Sequence, residues 1–234
     1  MDQATHNKIV SFIWGIADDV LRDVFSRGKY RDVILPMCVL RRLDAVLEPT
    51  KQKVLDTKKM LDEAGITEQH PGLCAASDEA FYNTSPFRLR DLTSRTNAQL
   101  FRSDIIENFE FRKVIVPRLS KANALGTLIE KFLDPEINLS PKPVMNGNDT
   151  VKLPAMDNHS MGTVFEELVR RFNEENNEEA GEHWTPRDAV KLMARLIFEP
   201  VADRIQSGAY TLYDGAAGTG GMLTVAEETL QELA

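Results

Sequence analysis

Cysteine is nearly absent from this 234-residue chain, and Cys38 and Cys74 stand in unrelated contexts. That excludes a disulfide framework and a thiolate metal cluster, and a reduced, cytoplasmic protein is the expectation. Long apolar runs are missing as well: no stretch approaches the length that spans a bilayer. The opening Met1-Asp2-Gln3-Ala4-Thr5-His6-Asn7 has neither the basic lead nor the compact apolar core of a secretory signal. Positive charge is in deficit, 28 basic residues against 36 acidic for a formal net charge of -8. Such a chain is poorly suited to bind nucleic acid over its whole surface, because backbone binding relies on neutralising phosphates. It leaves room for a local basic face, or for a partner that supplies most of the contact. Internal repeats and low-complexity tracts are lacking too.

What is present is a composition with 42% hydrophobic residues, enough for a packed core. Ile9, Phe12, Ile13, Ile16, Ala17, Val20, Leu21, Val24 and Phe25 recur at helical spacing and predict an amphipathic helix over 6–26. A second helix is expected over 32–47, with Leu35, Val39, Leu43 and Val46 or Leu47 inward and Pro36 in its first turn. A charged third follows over 51–64 and stops at Gly65. From 66 to 102 the pattern weakens, and Pro71-Gly72 reads as a turn. A short helix is expected around Ile105, Ile106 and Phe109, either strand or helix over 114–119, and a helix over 124–133.

Pro135, Pro141, Pro143, Asn146-Gly147-Asn148-Asp149 and Pro154 cluster within twenty positions, which marks a loop or linker with a turn suited to a small hairpin. The expected division is a helical domain over 1–135, a linker over 136–158, and a second domain beginning at 159. Met161, Val164, Phe165, Leu168, Val169 and Phe172 then predict a helix over 160–176, and an acidic polar run follows to Glu182. Thr185-Pro186-Arg187-Asp188 supplies a cap hydroxyl, a proline for the first helical position and an acid three residues after the cap. The helix it starts should end near Phe198-Glu199-Pro200.

Near the far end, Tyr210-Thr211-Leu212-Tyr213 reads as a strand ending at Asp214, and Met222 to Leu233 as a helix. Between them lies Gly215-Ala216-Ala217-Gly218-Thr219-Gly220-Gly221. Small residues at the carboxyl end of a strand let a backbone approach a nucleotide-like ligand closely, and amides at the following helix start can meet a polar group. A P-loop is excluded, since no Lys-Ser or Lys-Thr follows the glycines. A dinucleotide fingerprint places Gly at 216, where this chain has Ala. An acid just before the loop suits S-adenosylmethionine, which carries an ammonium and a sulfonium but no pyrophosphate. Asp214 can serve either by taking loop amides or by meeting a cationic group. Trp184, beside the expected cap, can equally staple the helix start or stack on an adenine ring.

Together these blocks resemble the modification (M) subunit of type I restriction-modification systems, adenine-N6 DNA methyltransferases. Phe12 to Arg22, Gly28 to Pro36 and Leu40-Arg41-Arg42-Leu43-Asp44 resemble the family's helical amino-terminal domain. Gly181-Glu182-His183-Trp184-Thr185-Pro186 is similar to its segment before the first helix of the catalytic fold, and Asp214 to Gly221 to its cofactor loop. The family usually has Pro where this chain has Gly215, often Cys where it has Ala217, and a Phe/Tyr-Tyr pair where it has His183-Trp184. The resemblance implies an α-helical amino-terminal domain followed by the start of an α/β Rossmann-like methyltransferase domain. Its cofactor is S-adenosylmethionine, held by Glu182, Trp184, Thr185, Pro186, Asp214, Gly215, Ala216, Gly218, Thr219, Gly220 and Gly221.

The resemblance also implies partners: a specificity subunit, a restriction subunit where one joins, and double-stranded DNA within the complex. The family's Asn-Pro-Pro-Phe motif, which grips the target amine, has no counterpart among these residues, so no catalytic residue is assigned. The expectation is a front part of a larger protein, inactive by itself. Two rivals stay open, a helical interaction module without catalysis and an NAD-dependent Rossmann enzyme. Arg22, Arg27, Lys29, Arg31, Arg41 and Arg42 form either a DNA or subunit surface, or an ordinary solvated face with their neighbouring acids.

Overall fold

The computed structural model describes residues 2–93, 111–175, 185, 187–206, 208–218 and 220–233. The helix expected around Ile105 lies outside them. The chain divides into two compact units, Met1–Met161 and Gly162–Ala234. The described residues are mostly helical, with one small antiparallel hairpin among them.

The first unit opens with α1, Gln3–Leu21, whose amino end is held by Asp2: its Oδ1 accepts the Thr5 amide at 2.7 Å. Ile9, Val10, Ile13, Ile16, Ala17, Val20 and Leu21 make its buried stripe. The helix stops at Leu21, short of the expected 26. The chain turns there and brings Phe25 into the core as a separate anchor. The second helix, α2 (Tyr30–Leu47), starts earlier than expected, so Pro36 falls well inside it rather than in its first turn. The Asp32 carbonyl thereby loses its usual i+4 donor. The position is kept because α2 is the central helix: Val33, Ile34, Leu35, Met37, Cys38, Leu40, Ala45 and Leu47 are all buried. Val39 and Leu43, expected inward, are half-buried. A helix surrounded by neighbours has no single stripe to read.

The third helix, α3 (Lys51–Glu63), ends at Gly65, whose φ of +67° lets the Ile66 amide reach back to the Leu61 carbonyl at 3.0 Å. Pro71-Gly72, read as a turn, instead begins α4, His70–Ser77. Proline in the first turn loses no helical bond, and Leu73 and Ala76 pack with Val54 of α3. A π turn at Phe111–Ile115 leads into α5, Val116–Lys121, which resolves 114–119 as helical; α6, Leu125–Phe132, follows. Leu128, Ile129 and Phe132 of α6 are fully buried, and α6 packs on α1, α2 and α5.

The segment over 136–158 is irregular but anchored. Ile137, Asn138, Leu139 and Met156 are buried, and the Asn138 amide donates to the carbonyls of Lys142 and Pro154, both at 2.8 Å. β1 (Val144–Met145) pairs antiparallel with β2 (Val151–Leu153) across the turn that holds Asn146-Gly147. Arg42 ties the segment to α2: Nη1 donates to the carbonyls of Leu139 (2.7 Å) and Met156 (2.8 Å), and Nη2 to Asn158 Oδ1 (2.8 Å).

Then comes α7, Asn158–Glu175, with the Ser160 amide donating to Asp157 Oδ1 at 2.6 Å. In the second unit α8, Arg187–Phe198, packs on α9, Gly221–Leu233, through Val190, Ala194 and Val225, with Phe198 and Met222 flanking. Leu192, Met193, Leu196 and Ile197, on the remaining faces of α8, stay exposed.

The strand expected at 210–213 is not formed. A strand exists only as part of a ladder, and no other segment of the described residues pairs with this one. Tyr210 is half-exposed and Tyr213 is 91% exposed.

Candidate functional site

Two of the expected binding segments lead into packed helices: the glycine loop enters α9, and Thr185, exposed, precedes α8. Glu182, Trp184, Pro186 and Thr219 lie outside the described residues, as does His183. Asp188 stands in the first turn of α8 and takes the Ala189 amide at 2.9 Å.

Asp214, Gly215, Ala216 and Gly218 lie in a bend, and Gly220 and Gly221 lead into α9. Asp214 Oδ1 accepts the Ala216 amide at 2.9 Å, so the carboxylate shapes the loop, the first of the roles open to it. Among the described residues its Oδ2 takes no hydrogen bond. Gly218 has φ +53° and Gly220 φ +81°, backbone that a side chain resists. Between them the Gly220 amide donates to the Ala217 carbonyl at 2.7 Å. The Thr224 amide then donates to the Gly220 carbonyl at 3.1 Å, the first helical bond of α9.

Space around the loop is uneven. A Cβ on Gly220 would meet nothing within 4 Å, and one on Gly218 only the Ala216 carbonyl at 3.9 Å. Among the described residues the space beside Gly218 and Gly220 is therefore open, as a cradle for a ligand requires. A Cβ on Gly215 would touch the Tyr213 hydroxyl at 3.4 Å, since that ring folds over the loop. A Cβ on Gly221 would stand 3.3 Å from Glu166 Oε1, which brings a carboxylate of α7 against the start of α9.

Periodicity alone does not separate Glu166 from its neighbour Glu167, so sequence reasoning missed it. The structure separates them. Glu167 is held by Arg170 and Arg171, and those hydrogen bonds bring its carboxyl down to about 2. Glu166 reaches the loop.

A cleft of about 630 Å³ lies between 206–212 and α9, lined by Tyr210, Leu212, Leu223, Glu227 and Leu230 among others. It shares no residue with 214–221.

Of the basic residues considered as a surface, Arg22 is exposed, and the others are held in structural contacts. Arg42 is buried on carbonyls, and Arg41 donates to the Phe132 carbonyl at 3.2 Å. Lys29 and Arg31 face Asp32, and Arg27 faces Asp18 at 4.0 Å. No helix among the described residues is long and apolar enough to cross a membrane.

Two family models match the chain in tandem: "HsdM N-terminal domain" over 9–145 and "N-6 DNA Methylase" over 156–234. No curated protein and no solved structure matches it. The first match covers more than half of the chain and the second begins eleven residues after it, in the order that the helical blocks and the glycine bend suggest. The chain belongs to the M-subunit family of type I restriction-modification systems, adenine-N6 DNA methyltransferases that use S-adenosylmethionine.

Proposed function

We propose that the bend at 214–221 binds the methionine end of S-adenosylmethionine. The observation that carries this is the space, open among the described residues, beside Gly218 and Gly220, which adopt positive φ directly before a helix start. In this reading Gly215, Ala216, Gly218, Thr219, Gly220 and Gly221 let the cofactor approach main-chain amides, and the uncommitted Oδ2 of Asp214 faces its ammonium group. Glu182, Trp184, Thr185 and Pro186 complete the pocket from the start of α8, with Trp184 stacking on the adenine ring. When bound, the cofactor supplies an electrophilic methyl group on its sulfonium. The chain's own residues orient that group and provide compensating negative charge.

The same reading takes 159–234 as the opening of a Rossmann-like catalytic domain, 1–135 as the helical domain and 136–158 as the connection. The substrate is adenine in duplex DNA, which must leave the stack to meet the methyl donor. A specificity subunit supplies sequence recognition, a restriction subunit joins where cleavage is coupled, and the assembly works in the cytoplasm. The net charge of -8 agrees with sharing DNA contact among subunits.

The decisive experiment is calorimetric titration of the complete protein with S-adenosylmethionine, for the parent and for Gly218→Asp. Binding by the parent that drops by tenfold or more in the variant supports the site. Equal affinity in the two removes it.

A further inference from the structure

Several cations among the described residues have an acid beside them: Lys58 has Asp62, Arg88 has Glu48, Lys131 has Asp19, and Arg195 has Glu199 and Glu232. The stretch before α6 gathers several that do not. Residues 111–129 contain no acid at all, yet 112–121 carries Arg112, Lys113, Arg118 and Lys121.

Lys113 in the π turn and Arg118 and Lys121 on α5 are exposed, and among the described residues none of the three pairs with a carboxylate. The backbone beneath them is firm, because Ile115, Val116 and Leu119 are buried at 4%, 0% and 0%. Arg118 is also fixed laterally. Its guanidinium lies 4.6 Å from the centroid of the Phe25 ring, and Phe25 is itself buried. Stacking holds the planar group while leaving N–H edges for an acceptor. The acids of α1 face other cations, Asp18 facing Arg27 and Asp19 facing Lys131.

Spacing decides what such a row fits. Arg118 and Lys121 share a helix face. Lys113 to Lys121 spans roughly 12 Å at helical rise, and a DNA strand offers a phosphate about every 3.4 Å of axis. A short, acid-free group of cations on buried backbone suits phosphate contact, which positions a protein on the duplex.

We propose that the exposed face of 113–121 contacts the phosphate backbone of duplex DNA without regard to sequence and helps to seat the duplex against the helical unit. The proposal rests on the reading that the complete protein acts on DNA. It is independent of the cofactor loop.

The test is fluorescence anisotropy of a labelled duplex of about 30 base pairs bound by the complete protein in its subunit assembly, over a series of salt concentrations. The parent is compared with Lys113→Gln/Lys121→Gln and Lys113→Arg/Lys121→Arg, with Arg118→Gln as a further variant and circular dichroism melts as the check on folding. Each lost phosphate contact lowers the slope of log affinity against log salt by roughly 0.9. The double Gln variant is therefore expected to lose about 1.8 from the slope, while the double Arg variant keeps it and cofactor affinity is unchanged in both. An unchanged slope in the Gln variant overturns the proposal. So does loss of subunit assembly with an unchanged slope, which would make the face a protein interface, and so does failure of the parent to bind duplex at all. Failure of the cofactor reading shows elsewhere, as absence of S-adenosylmethionine binding with the salt slope intact.

Discussion

Arg42 and Leu139 are 97 residues apart in the chain, yet Nη1 of the first donates to the carbonyl of the second at 2.7 Å. The same guanidinium reaches the Met156 carbonyl and the Asn158 side chain, so one residue of the central helix closes both ends of the proline-rich segment. Burial lowers its affinity for the proton, with Asp157 and Glu79 opposing that effect, and an arginine stays charged regardless. Arg42→Met removes the donor from two carbonyls in a site where water has little access. Each orphaned buried group costs about 1–3 kcal/mol, so a loss on the order of 3 kcal/mol is expected. Urea unfolding of the parent and the variant measures it. A midpoint moved by less than the equivalent of about 1 kcal/mol would mean that the segment holds without this clamp.

Lys51 makes the second prediction. The residue is 6% exposed, and its ammonium donates to the carbonyls of Asn83 (3.1 Å) and Ser85. Burial brings its pKa down from 10.5 to about 8, with Asp44 opposing and Arg88 reinforcing the shift. The folded chain thus releases this proton near pH 8, while the unfolded chain keeps it to 10.5. Between those values the unfolded state binds more protons, so this group's contribution to stability rises with pH through the window and is level below it. A neutral amine still has hydrogens for both carbonyls. Urea midpoints at pH 7.5, 9 and 10 should show this positive contribution in the parent, and Lys51→Met should lack it.

The places where sequence and structure part follow a physical rule. α1, α3, α6 and α9 were legible because each has one apolar stripe or a clear stop, such as Gly65. α2 was only half legible, since a helix buried nearly all round gives no contrast between faces. α4 was missed because Pro71 punctuates a turn and starts a helix with equal ease. The strand at 210–213 was expected from its residue types, but strands depend on a partner that local preference does not contain. Of the candidate site, the acid and the glycines were visible as a motif. Glu166 was not, because only folding brings an α7 carboxylate to the start of α9.

Asp214 offers a third prediction on the same motif. Its Oδ1 holds the Ala216 amide, and Asp214→Asn keeps an acceptor there while removing the negative charge. Asp214→Ala removes both. If the free oxygen meets the cofactor's ammonium, both variants of the complete protein should lose S-adenosylmethionine affinity by tenfold or more, with thermal melting altered only in the Ala form. Affinity retained in Asn and lost in Ala would assign the residue to loop shape alone.

Gly220 and Gly221 are neighbours in the chain with opposite reasons for being glycine. Gly220 has open space around it and φ +81°, so its constraint is backbone strain. Gly221 has no such φ, but its missing Cβ would stand 3.3 Å from Glu166 Oε1, so its constraint is contact. Gly220→Ala is therefore expected to cost about 1–2 kcal/mol in any background. Gly221→Ala meets the far end of a flexible side chain that can swing away, and should cost less than about 1 kcal/mol. Its penalty should disappear when combined with Glu166→Ala, whereas that of Gly220→Ala should persist, a difference that double-mutant cycles in urea resolve. Equal coupling of both glycines to Glu166 would contradict the geometry of the bend.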